Sequence, residues 1–216
     1  MPQIYNLEEY SPKLTDVALI VGEGLCSNIY VIGKKEVTLV DTGVGNRANP
    51  IFPQLDELGI KPSDIIQVIL THAHHDHAMG TYLILERTDP DVFIHEEDTK
   101  YIASSLGDAL VKVSEGDSID TPLGSLSVYW TPGHTKGSMC LYNAEKKVLF
   151  SGDTVFPEGN YGRYDGESGS LETMIDSLKK LSDLDVEVML PGHGSPLFQD
   201  ANKHIDMSYK QASRTR

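Results

Sequence analysis

Ile65-Ile66-Gln67-Val68-Ile69-Leu70-Thr71-His72-Ala73-His74-His75-Asp76-His77 is the stretch on which the reading of this chain turns. Its first half is a nearly continuous apolar run of strand length, as expected of a strand buried on both faces. Its second half places His72, His74, Asp76 and His77 directly beyond that strand. Three more residues of the same chemistry stand alone further on, in Pro132-Gly133-His134-Thr135, Ser151-Gly152-Asp153-Thr154 and Pro191-Gly192-His193-Gly194. Together they supply five imidazoles and two carboxylates, more than one metal ion needs.

The placement of these residues carries as much information as their identity. His134 follows the apolar run Leu126–Trp130, Asp153 follows Val148–Phe150, and His193 follows Val186–Leu190. Neighbouring strands would bring these ends to one sheet edge, where a rigid platform meets loops that keep polar groups near solvent. In extended backbone, side chains two apart point to the same side, so His72 and His74 can share one ion with His134. Asp76 and His77 come after the chain turns and can serve a second ion with His193. Asp153 is then the bridging carboxylate. Asp76 also lies near the N-cap of the helix expected to follow. Imidazole with carboxylate suits zinc first, with iron or manganese as alternatives. His75, His95 and His204 match no ligand pattern and are read as ordinary histidines.

Strands are expected at Val17–Val21, Ser27–Ile32 and Glu36–Asp41, the last two flanking a Gly33-Lys34-Lys35 turn. A short helix fits Pro50–Leu58, closed by Gly59. Helical patterns follow at Ala78–Arg87 and Glu96–Ser104, with a strand at Val92–His95 between them. The interval Ser105–Asp117 has no clear pattern. A second strand series covers Leu126–Thr131, Ser138–Asn143 and Lys147–Ser151. Leu171–Leu181 is an amphipathic helix, Val186–Leu190 a strand, and the tail from Gln199 a helix. Two strand series, each with helices, predict an α/β chain with two sheets packed face to face and helices outside.

The totals set further bounds. A chain of 216 residues, 39% hydrophobic, can bury one sizeable core, so residues 1–216 are expected to form a single domain. The net charge of -14 repels a phosphate backbone and argues against nucleic acid as a partner. Cys26 and Cys140 form neither a disulfide framework nor a zinc spacing, which fits a reducing, cytoplasmic compartment. The opening residues MPQIYNLEEYSPK do not read as a secretory leader, and no apolar run is long enough to span a bilayer, so no membrane partner is expected. Acidic chains of this size are often homodimers, but no residue pattern locates such an interface.

The residues His72 to His77, with His134, Asp153 and His193, resemble the His-x-His-x-Asp-His signature and later ligands of the metallo-β-lactamase superfamily. The resemblance runs from Asp41-Thr42-Gly43 to Gly192-His193-Gly194 and implies a four-layer αβ/βα sandwich with metals at one edge. Within the superfamily the chain resembles glyoxalase II-like proteins, the hydroxyacylglutathione hydrolase group. Gly133-His134-Thr135-Lys136-Gly137-Ser138, Phe150-Ser151-Gly152-Asp153-Thr154-Val155-Phe156 and Gly162-Arg163 carry that likeness. It implies one metal at His72, His74 and His134, a second at Asp76, His77 and His193, and Asp153 between them. Antibiotic-degrading β-lactamases lack the bridging aspartate, flavo-diiron proteins carry glutamate where His74 stands, and acyl-homoserine lactonases place a tyrosine near Phe156. Glyoxalase II itself continues beyond its last metal histidine into a helical domain that helps hold glutathione.

The activity these residues imply is hydrolysis of a small-molecule thioester, lactone or related ester by a binuclear metal centre. Two divalent ions would hold a water between them and lower its pKa, and the bridging hydroxide would attack the carbonyl carbon. Asp76 would both ligate and orient that hydroxide. The alternative is a persulfide dioxygenase, which shares the motif but uses one iron. Asp41, at a strand end beside Thr42-Gly43, is the expected orienting partner of a ligand histidine. Arg163, with Tyr161 or Tyr164, is placed to meet a substrate carboxylate.

Overall fold

The computed structural model describes residues 3–215. Seven strands form the first sheet: β1 (Ile4–Asn6), β2 (Val17–Ile20), β3 (Ile29–Ile32), β4 (Val37–Val40), β5 (Ile65–Leu70), β6 (Asp91–His95) and β7 (Leu110–Val113). They lie in sequence order, antiparallel up to the β3–β4 pair and parallel from β4 to β7. The second sheet has five strands, β8 (Ser118–Thr121), β9 (Gly124–Trp130), β10 (Met139–Asn143), β11 (Val148–Gly152) and β12 (Val188–Pro191). Its order is β12-β11-β10-β9-β8, with β11 and β12 parallel and the other pairs antiparallel.

Period-two alternation along these strands builds the layers. Val40, Ile69, Leu141, Phe150 and Leu190 face one another in the core between the sheets. Their chain neighbours turn outward. Leu39, Val68 and Leu70 pack under helices α1 (Ile51–Glu57), α3 (Gly80–Leu85) and α4 (Ala103–Leu106). On the other side, Cys140, Leu149 and Met189 pack under α5 (Leu171–Ser182) and α6 (Ala201–Arg214). The result is the expected αβ/βα sandwich. Short α2 (His75–Ala78) carries part of the ligand cluster.

Helix α5 forms where its sequence supports it at each level. Ser170 caps it by accepting a hydrogen bond from Thr173 N, Met174, Ile175, Leu178 and Leu181 bury one face, and Lys179 and Lys180 sit in the last turn. Other expectations need correction. The helix read at Ala78–Arg87 breaks at Met79 into α2 and α3, and Glu96–Ser104 splits into a 3₁₀ segment, Glu96–Tyr101, and α4. Asp76 does lie near the cap of α2, in its first turn two residues beyond the N-cap His74. Strands β1, β7 and β8 escaped the pattern reading. Each is an edge strand of three or four residues, and β8 buries only Ile119. Among the described residues, no helix is long and apolar enough to cross a membrane.

Candidate metal centre

The sheet directions bring the C-terminal ends of β4, β5, β6, β9, β11 and β12 to one edge. The two sheets are stitched together there. Met139 N donates to Thr71 O at 2.9 Å, and Asn28 N donates to Gly192 O at 2.7 Å. Tyr30 Oη and Asn28 Nδ2 both donate to Pro191 O. All seven expected ligands stand within this seam.

They fall into two groups. His72 Nε2 lies 3.1 Å from His74 Nδ1, which lies 2.8 Å from His134 Nε2. His77 Nε2 lies 3.2 Å from His193 Nε2, which lies 3.2 Å from Asp76 Oδ2. Asp153 stands between the groups, with Oδ2 3.6 Å from both His134 Nε2 and His193 Nε2 and Oδ1 3.4 Å from His77 Nε2. Each triad, and also His72 with His77 and Asp153, could hold a metal ion.

The outward ring nitrogens show what the inward ones present. His134 Nδ1 donates to Arg163 O at 2.7 Å, and His77 Nδ1 donates to Asp41 Oδ2 at 2.8 Å. Thr71 Oγ1 donates to Asp41 Oδ2, leaving its lone pairs to accept from His72 Nδ1 at 3.1 Å. The Nε2 atoms of His72 and His134 are therefore lone pairs aimed at neighbouring ligands, and that of His77 would present one once its ring gives up a proton to a metal. Asp153 Oδ1 is buried with no hydrogen-bond partner among the described residues. Crowded ring nitrogens and a buried carboxylate oxygen with no hydrogen bond, 3.4 Å from His77 Nε2, are costly by themselves and are resolved by cations. The donor set fits two divalent ions.

The charges respond to this crowding. Burial, reinforced by the surrounding imidazoles, holds His72 well below the ordinary histidine range. Burial would lower His77 too, but the Asp153 and Asp41 carboxylates outweigh it and raise its pKa well above the ordinary value. Burial would raise the Asp76 carboxyl, yet the His193 and His77 rings bring it down to about 2. Asp153 is lowered as well, because His77 overcomes its burial.

Asp41 orients one ligand of each group, His77 directly and His72 through Thr71, as its position at a strand end suggested. Asp98 was missed. It is fully buried and accepts hydrogen bonds from Ala73 N (3.0 Å), Thr135 Oγ1 (2.8 Å) and Gly137 N (2.9 Å). It thus ties the backbone between His72 and His74 to the loop that carries His134. In the sequence it hides in Glu96-Glu97-Asp98, which reads as a solvated acidic run; its one signal was a place just beyond β6 at the ligand edge. Two glycines are required by close approach. A Cβ at Gly133, which has φ of 142°, would lie 2.5 Å from Met174 Cα in α5. A Cβ at Gly192 would collide with Asp153 Oδ1.

Arg163 has a second role that the sequence did not suggest. Its guanidinium forms an ion pair with Asp165, with Nε 3.0 Å from Oδ1, and its contribution to the centre is the backbone carbonyl that holds His134. Arg163 and Tyr161 do line the cavity over the ligands, of about 770 Å³, whereas Tyr164 stacks on Tyr161 instead. His75 lines that cavity without joining either triad, His95 stacks on Trp130, and His204 accepts a hydrogen bond from Glu158 N.

Comparisons with known proteins agree with this geometry. Residues 22–193 match the metallo-β-lactamase superfamily model. A probable metallo-hydrolase of Methanocaldococcus jannaschii is 33% identical over 194 residues, covering 80% of this chain and 90% of the relative. A hydroxyacylglutathione hydrolase of Francisella philomiragia is 32% identical over 127 residues, covering 58% of this chain and 48% of that protein. A protein solved in a di-iron-bound form is 25% identical with a TM-score of 0.69, covering 82% of this chain and 92% of the other. With its sandwich fold and its paired His/Asp clusters at the sheet edge, the chain belongs to the metallo-β-lactamase superfamily.

Proposed function

We propose that this protein is a binuclear metal-dependent hydrolase of a small-molecule thioester, lactone or related ester. The observation that carries the reading is Asp153, buried between two ligand triads with one oxygen unpartnered. His72, His74 and His134 would hold one divalent ion and Asp76, His77 and His193 the other, with Asp153 shared. Zinc suits the donors, and the di-iron relative makes iron the second choice. Bound there, the ions supply Lewis acidity that polarises a carbonyl and lowers the pKa of a coordinated water.

The chain's own residues do the rest. Asp41, Thr71 and Arg163 O fix the imidazole tautomers, so lone pairs face inward. Asp76 is ionised across the physiological range and sits at the cavity wall. From there it can orient a nucleophile by accepting its proton-bearing bond. Leu25, Phe156 and Tyr161 give the cavity over the centre an apolar side. Neither cysteine is set as a nucleophile: Cys26 and Cys140 are buried, and burial raises both thiols, Cys140 to about 11.

Metal analysis combined with Asp153→Ala tests the proposal. Wild type should bind two ions per chain and hydrolyse at least one member of a thioester and lactone panel. The variant should lose activity and retain fewer ions, with an affinity loss beyond the roughly 10–100-fold typical of outer partners. Full occupancy and turnover in the variant would overturn the role of Asp153. A single iron per chain with oxygen consumption would instead indicate persulfide dioxygenation.

A further inference from the structure

A second cavity, of about 490 Å³, opens beside the metal centre. It shares Gly24 and His193 with the cavity over the ligands, so the two meet at the His193 ring. Its floor is the central core, through Leu7 and Leu19, and Tyr5 packs against that core beside them. Its far wall is Tyr10 stacked on Phe198, with ring centroids 5.0 Å apart and planes at 15°. Tyr10 is 51% exposed there, an aromatic face left open in a chain that buries most of its large apolar groups.

The chemistry of the lining is one-sided. Asp, Glu, Lys and Arg make up 23% of the chain, yet among the described residues none lines this cavity. Several of its polar groups are already engaged: Tyr5 Oη donates to Gln3 Oε1, Asn28 Nδ2 donates to Pro191 O and Gly194 O, and Cys26 Sγ accepts from Val44 N. The cavity over the ligands differs, since its rim carries the Arg163–Asp165 pair. A carbonyl held at the centre would have one polar-rimmed direction and one uncharged aromatic direction. The volume lies within the ~300–1,000 Å³ of small-molecule sites.

We propose that this cavity receives an apolar acyl chain of the substrate, with the polar leaving portion lying toward Arg163. The assignment rests on the hydrolase reading above and narrows it to acyl compounds of medium chain length. Stripping water from the Tyr10–Phe198 face and from the chain makes longer acyl groups better substrates, by about two- to fourfold per methylene until the cavity is full.

The test uses the metal-loaded full chain and S-acyl N-acetylcysteamine thioesters from acetyl to decanoyl. Non-hydrolysable ethyl and octyl thioethers of the same thiol report binding by calorimetry. Two variants act in opposite ways: Phe198→Ala removes the wall, and Ser195→Trp fills the opening from an exposed position. Octanoyl should exceed acetyl thioester in kcat/KM by at least tenfold, and that ratio should fall at least fivefold in both variants. Octyl thioether should bind more tightly than ethyl, with the preference lost in both. Hydrolysis with no chain-length preference, or a preference that neither variant alters, overturns the cavity assignment and leaves the hydrolase reading intact. Octyl binding that depends on Phe198, with no thioester and none of the matching acyl lactones hydrolysed, upholds the cavity and overturns the hydrolase reading. Absence of both overturns both.

Discussion

At the scale of single residues, the centre depends on buried carboxylates that never point into the cavity. Asp98 holds the His72–His74 backbone and the His134 loop in register, so Asp98→Asn should weaken metal binding at that triad about 10–100-fold. Competitive chelator titration reads this directly, and an unchanged affinity would show that Asp98 only supports the fold. His77 gives a pH prediction. Its raised pKa means that the protonated ring stabilises the metal-free chain below the ordinary histidine value, a contribution lost as pH rises through the raised value. A metal needs the neutral ring, so uptake near pH 7 should release a proton and affinity should increase with pH. His72, held low by burial, should release none. Calorimetry in buffers of different ionisation heat measures the proton count, and a count of zero at pH 7 would contradict the state of His77. The residues that cluster at the sheet edge were legible because histidine and aspartate beyond apolar strands have few other readings. Asp98 was not, because its three partners come from segments distant in sequence.

Among the elements, α5 does more than cover a sheet. Ser170 N donates to Gly133 O, Ser177 Oγ donates to Pro132 O, and Met174 packs where a side chain at Gly133 would be. The helix thereby sets the path of the His134 loop. Gly133→Ala should cost roughly 2–4 kcal/mol through overpacking and backbone strain, and should lower metal content as well. Leu178→Ala, on the buried face of the same helix, should cost about 2–5 kcal/mol yet leave the metal stoichiometry unchanged in the folded protein. Denaturant unfolding with metal analysis separates the two, and intact metal content in Gly133→Ala would sever the proposed link between α5 and the loop. Central strands and α5 were readable from the sequence because their burial leaves a hydrophobic period. The edge strands β1, β7 and β8 bury too little to leave one, and the break at Met79 interrupts an otherwise helical pattern.

Over the whole molecule, each candidate ligand group draws residues from both sheets. His72, His74, Asp76 and His77 follow β5 of the first sheet, whereas His134, Asp153 and His193 follow β9, β11 and β12 of the second. Metal held across this seam should stabilise the folded chain. At a free concentration one hundred times the dissociation constant, one ion contributes about 2.7 kcal/mol, or roughly 5–10 °C in Tm for a chain of this size. Chelation should lower Tm by at least that much, and a Tm indifferent to chelator would mean that the ions do not clamp the sheets. By itself, the sequence determined the ligand types, their places after apolar strands, and the layered α/β class, because these depend on short-range periodicity and local chemistry. Only the tertiary structure decided that Arg163 contributes a carbonyl, that Asp98 joins two ligand loops, and that an uncharged cavity meets the centre at His193. Those depend on how segments from opposite ends of the chain, such as Tyr10 and Phe198, meet when the two sheets close, and no local pattern records that.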